Sequence, residues 1–218
     1  MQAIMETIFE SIYLLFAICS GLYLLCKSKG RLDSILLGIA ILILGCGDAF
    51  HLLPRMIGLN TTGLDSYKIE LGVGKLITSI TMTFFYVIMY IFLIVRYKKN
   101  LPLWLHILYG MLFLVRLILL ALPYNNWLGE SPYLWNIYRN IPFVLMGVIF
   151  IILSYRYCRG DKYFKWMWLL VVLSFVFYLI TALGASYVSM LGLMMLPKTI
   201  CYMVIFVLAL LDNKKELK

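Results

Sequence analysis

Seven long apolar runs constrain this chain more than any other feature. They read at about residues 5–26, 34–57, 71–95, 102–123, 133–155, 164–187 and 190–211. Each reaches the ~20 residues that a helix rising ~1.5 Å per residue needs to cross about 30 Å of hydrocarbon. Backbone polar groups in lipid must find partners within their own segment, so runs of this length predict helices. The connections are short and leave no room for a water-soluble domain. The expectation is an all-α polytopic membrane protein, with residues 1–218 forming a single seven-helix domain. Composition agrees: 64% of residues are hydrophobic and 13% charged, against about half and a quarter in soluble proteins. The first run lacks the basic leader of a signal peptide and reads as a mature first helix.

The formal charge of +9, from 19 basic and 10 acidic residues, reads as topology and not as affinity for nucleic acid. Basic residues alternate between connections. Lys27, Lys29 and Arg31 follow the first run, Arg96, Lys98 and Lys99 the third, Arg156, Arg159, Lys162 and Lys165 the fifth, and Lys214, Lys215 and Lys218 the last. The other connections hold only Lys68 as a clear loop cation. By the positive-inside rule the N-terminus, with Glu6 and Glu10, faces outward and the C-terminus lies in the cytoplasm. A bacterial plasma membrane is the expected location. Trp104, Trp127, Trp135, Trp166 and Trp168 fall near helix ends, where amphipathic rings favour the headgroup layer.

This topology gives each ionisable residue a depth, and the depths are lopsided. Asp48, His51 and Arg55 fall in the outer half of the second run, Glu70 and Lys75 in that of the third, and Arg116 in that of the fourth. Asn136, Arg139 and Asn140 open the fifth run, and Lys198 lies eight residues into the seventh. Only His106 is clearly on the cytoplasmic side. A charge in the bilayer costs at least ~2.5 kcal/mol on insertion scales, so such residues face a bundle interior or a wet cavity. One outward-opening pocket is therefore expected, joined by Glu10 and Tyr13 and by Tyr178 and Thr181. Its five cations (Arg55, Lys75, Arg116, Arg139, Lys198) exceed three acids (Glu10, Asp48, Glu70). That surplus predicts an anionic partner, either a membrane lipid or a small amphiphile carrying phosphate or carboxylate. Arg116 is expected to pair with Asp48 or Glu70.

The densest motif is GCGDAFHLLPR at residues 45–55. Asp48, His51 and Arg55 recur at i, i+3 and i+7 and share one helical face, while Gly45 and Gly47 permit close approach by another helix. An acid, an imidazole and a guanidinium on one face can share protons and hold an anion. In the third run, Gly72, Lys75 and Ser79 form a stripe with Thr78 beside it. The bland readings are a snorkelling Arg55 or Lys75 and small residues that serve helix packing.

The GDAFHLLPR run resembles the Gly-Asp and Leu-Pro-Arg motif of the lysoplasmalogenase-like family of small polytopic membrane proteins (YhhN type). That resemblance implies an intramembrane hydrolase of lysolipid vinyl ethers. Asp48 would supply the proton with His51 beside it, and Arg55, Arg116 and Lys198 would hold the phosphate. A non-enzymatic binding or transport protein for an anionic lipid or metabolite is the alternative. A lysine in the seventh helix also admits a retinal-binding photoreceptor through Lys198, a remote reading.

Other chemistries find no support in the sequence. Catalytic zinc needs three protein ligands, and the two histidines fall on opposite membrane sides. The five cysteines form no C-x-x-C and read as core or lipid-facing residues. No G-x-S-x-G, nucleotide-binding or dinucleotide motif occurs. The expectation is therefore no metal and no cofactor.

Overall fold

The computed structural model describes residues 2–129, 131–184 and 189–216. It contains seven long helices, each long and apolar enough to cross a membrane, and no strand among the described residues. They are α1 (Gln2–Cys26), α2 (Leu32–Asn60), α3 (Lys68–Tyr97), α4 (Leu103–Ala121), α5 (Tyr133–Cys158), α6 (Met167–Gly184) and α7 (Met195–Glu216). Short 3-10 turns at Leu64–Tyr67, Pro123–Asn125, Phe164–Trp166 and Ser189–Met194 lead into or cap these helices. The expected sixth run extends past Gly184 into 185–188, outside the described residues, as do Glu130 and Lys218.

The largest difference from the sequence expectation is at α7. The expected run starts near 190, but the α-helix itself begins at Met195 after the 3-10 turn. Pro197 therefore sits in the first turn, where its missing N–H removes no intrahelical bond. Lys198 accordingly lies at the amino-terminal end of the α-helix and not two turns inside it.

Helices α2 and α3 pack closely because small residues remove side chains from their crossing. A Cβ on Gly47 would collide with the Thr81 side chain, and one on Gly74 would meet the Phe50 carbonyl and the His51 Cα. The Thr78 hydroxyl donates to the Gly47 carbonyl at 3.1 Å and ties the two helices there. Pro54 lies inside α2 and cannot donate to the Phe50 carbonyl, so the helix is locally weakened where His51 passes α3.

The middle of the bundle is an aromatic layer. Tyr86 meets Phe143 and Phe175 with ring centroids 5.3 Å away and Phe150 at 5.9 Å. Its buried hydroxyl pairs with that of Tyr202 at 3.1 Å, and Tyr109 donates to its carbonyl at 3.0 Å. Satisfied phenols let polar rings pack at full depth.

At the lysine- and arginine-rich end, Arg96 is a hub. It reaches Asp33 at 2.9 Å, Asp161 at 2.9 Å and Asp212 at 2.8 Å. Arg31 joins Asp33 and Asp212 at 2.7 and 3.1 Å. The network ties α2, α3, α7 and the α5–α6 connection together. Burial alone would push the Asp161 carboxyl up. The N–H donors of Tyr163 and Phe164 and the Arg96 and Tyr97 side chains outweigh it and hold the group below the usual carboxylate range. The Asp33 and Asp212 carboxylates of Arg31 hold its guanidinium above its ordinary value, with burial opposing them.

Candidate functional site

At the opposite end, where α1 begins and α2 finishes, lies a cavity of about 350 Å³. Every helix contributes to its wall. Glu6 and Glu10 come from α1, His51 and Arg55 from α2, Lys75 and Met82 from α3, Arg116 from α4, Arg139 and Phe143 from α5, Tyr178 and Thr181 from α6, and Lys198 from α7. The convergence expected from the sequence is therefore present for His51, Arg55, Lys75, Arg116, Arg139 and Lys198.

Each cation is placed by local structure. The buried residues of α4 are Leu105, Tyr109, Arg116 and Leu120, a stripe at helical spacing, so Arg116 shares the one face that turns inward. It is 2% exposed, donates from Nη1 to the Arg139 carbonyl and lies 5.3 Å from the Phe143 ring centre. Its Nε has no hydrogen-bond partner among the described residues.

Arg139 donates to the side chains of Asn136, Asn125 and Ser131 at 2.9, 3.2 and 3.4 Å. It also stacks 4.4 Å over Trp127. Trp127 is brought there by the α4–α5 connection, whose backbone at Trp127 fits against α3 only because residue 72 is glycine. Lys198 is 4% exposed and lies 5.6 and 5.9 Å from the Tyr178 and Tyr202 rings. Arg55 meets Glu6 at 2.8 Å and Glu10 at 3.5 Å.

Several expectations need correction, and neither Tyr13 nor Glu70 lines the cavity. Arg116 makes no ion pair among the described residues, with Asp48, Glu70 or any other carboxylate, because Glu70 is exposed and no acid lines that side of the cavity. Asp48 shares the helical face of His51 and Arg55 but does not line the cavity. Seven residues at 1.5 Å separate it from Arg55 by about 10 Å along the axis, and that depth takes it to Tyr13 of α1. The Tyr13 hydroxyl donates to it at 2.6 Å, and Lys198 is its charged neighbour. Asn140 also stands behind the wall: it donates to the Asn136 carbonyl at 2.8 Å and accepts from the Tyr178 hydroxyl at 2.7 Å. His106 contacts Tyr90 at 3.0 Å, away from the cavity.

Glu6 and Trp127 were not anticipated as site residues. In the sequence Glu6 marks topology and Trp127 an interface. The Glu6–Glu10 spacing of i, i+4 puts both acids on one face of α1, and that was the available signal. For Trp127 the sequence carries none, since its place depends on a long-range fit against Gly72.

Among the described residues no group of histidine, cysteine or acidic side chains forms a metal centre. Comparisons with family models, curated proteins and solved structures find no match, so the site is read from its own geometry. That geometry suits an anion. Of five cations on the wall, only Arg55 forms an ion pair with a carboxylate among the described residues, while Lys198 has Asp48 as its charged neighbour behind the wall.

Proposed function

We propose that the protein is an integral membrane protein that binds an anionic amphiphile in this cavity. The observation that carries the reading is the charge of Arg116, buried with no carboxylate at ion-pair distance, on a wall that also holds Lys75, Arg139 and Lys198 without ion pairs among the described residues. A buried guanidinium with no anionic partner costs several kcal/mol to desolvate, and a phosphate or carboxylate supplies that partner with charge-assisted hydrogen bonds. Phe143, Trp127, Met82 and Leu196 give the same cavity apolar wall, which suits the first part of an acyl chain. With the N-terminus outside and the C-terminus in the cytoplasm, as the basic connections favour, the cavity faces the outer side of a bacterial plasma membrane. The test is native mass spectrometry of gently extracted protein, with thermal unfolding in the presence of anionic lysolipids. A retained anionic lipid and a rise in unfolding temperature that Arg139→Gln removes are expected. Indifference to every anionic amphiphile overturns the proposal.

A lysolipid hydrolase is the second reading, favoured by His51. It lines the cavity, and its Nδ1 is buried without a hydrogen-bond partner among the described residues, as a general base awaiting a substrate would be. Asp48 then acts from behind Tyr13 and Lys198. This reading predicts turnover of lysoplasmalogen that His51→Gln and Asp48→Asn each abolish with folding intact. Absence of product across lysolipids removes it. The photoreceptor reading has Asp48 as the charged neighbour of Lys198 and no further observation in its favour.

A further inference from the structure

The cavity has two poles, and the smaller one is acidic. Glu6, Glu10 and Arg55 lie together, one cation between two carboxylates. The charged neighbours of Glu10 are Arg55 and Glu6, whereas those of Lys75 are Arg139 and Arg55. Arg55 thus stands at the border between a corner that holds the Glu6 and Glu10 carboxylates and a basic region of four cations. Glu10 is 6% exposed, and its Oε2 has no hydrogen-bond partner among the described residues although the side chain lines the cavity. A buried carboxylate oxygen left unsatisfied in this way calls for a donor.

Resting on the reading of the cavity as an anion site, we infer that its guest is dipolar, with a phosphate-type anion among Lys75, Arg116, Arg139 and Lys198 and a primary ammonium donating to Glu10 in the acidic corner. The ammonium must carry N–H groups, for two reasons on the wall itself. The open acceptor at Glu10 is satisfied only by a hydrogen-bond donor. A quaternary ammonium is held instead by a cage of aromatic faces, and the aromatic rings of this cavity already face cations of the protein. Phe143 faces Arg116, Trp127 faces Arg139 and Tyr178 faces Lys198.

The test compares three lysophospholipids with the same acyl chain: lysophosphatidic acid, lysophosphatidylethanolamine and lysophosphatidylcholine. Purified full-length protein is titrated with each by native mass spectrometry. The ethanolamine lipid is expected to bind about tenfold tighter than the other two, a difference of about 1.4 kcal/mol. In Glu10→Gln the preference over the choline lipid falls to within about twofold, while affinity for lysophosphatidic acid is retained. Chain-free phosphoethanolamine separates the sources. Binding as tight as that of the lipid assigns the dipolar guest to soluble metabolites, and weaker binding assigns it to the membrane; both support a dipolar guest. Equal binding of all three lipids by the wild-type protein, or a choline preference, overturns the inference while the anion-binding function stands. No binding by any of them overturns both. The wild-type comparison decides the matter even where Glu10→Gln fails to fold.

Discussion

Replacing Arg116 with methionine separates what the cavity needs for stability from what it needs for a guest. Arg116 is 2% exposed and meets no carboxylate among the described residues. In its favour are the hydrogen bond to the Arg139 carbonyl, about 1.5–3 kcal/mol for a charged donor, the Tyr178 side chain beside it, and the Phe143 contact, about 0.5–2 kcal/mol. Against it stands the desolvation of a full charge, several kcal/mol even after relaxation, together with the unpaired Nε. Methionine keeps most of the stem volume and removes the charge. Substitutions of this kind stabilise by about 1–4 kcal/mol. At about 2 kcal/mol and 2–4 °C per kcal/mol for a chain of this size, the empty variant should unfold about 4–8 °C higher. Loss of a buried charged partner costs a ligand at least about 2 kcal/mol, or about 30-fold in Kd. Thermal unfolding in detergent, with and without the anionic lysolipid retained by the wild type, reads both effects. A methionine variant that unfolds at lower temperature than the empty wild type, or binds the lipid equally well, refutes the reasoning.

Gly74→Val places a branched side chain against the Phe50 carbonyl and the His51 backbone; it should destabilise by about 1–3 kcal/mol or more, read as a lower unfolding temperature, and weaken binding by shifting His51. Arg96→Gln leaves Asp33, Asp161 and Asp212 without their common cation. A loss of about 3–5 kcal/mol is expected, and ligand affinity of the folded fraction, measured by native mass spectrometry, should not change because the network lies at the far end of the bundle. Asp161 titrates below its ordinary value when folded, so its contribution is complete above the unfolded pKa of about 3.9 and disappears as pH falls through the folded value. Asp161→Asn should lower the unfolding temperature at neutral pH and flatten its dependence on pH below about 4.

The number and place of the seven helices long and apolar enough to cross a membrane were legible because lipid imposes one local rule: a backbone surrounded by hydrocarbon must satisfy itself within about 20 apolar residues. Their gathering was legible too, since counting along an apolar run places Arg55, Lys75, Arg116, Arg139 and Lys198 at one level, where a costly charge turns inward, and all five line one cavity. Which groups pair was not legible. Asp48 and Arg55 share a helical face, yet one meets Tyr13 and the other Glu6 and Glu10, because the rotation of α1 against α2 selects partners that periodicity leaves open. Arg96 looks like one more topological cation in the sequence; three carboxylates from separate segments make it a hub only once the bundle closes. Trp127 reaches the cavity through a glycine 55 positions earlier in the chain. Local chemistry thus decided what each segment must be, and packing between segments decided which side chains face one another, since contact distances depend on helix rotations and close approaches that no single segment encodes.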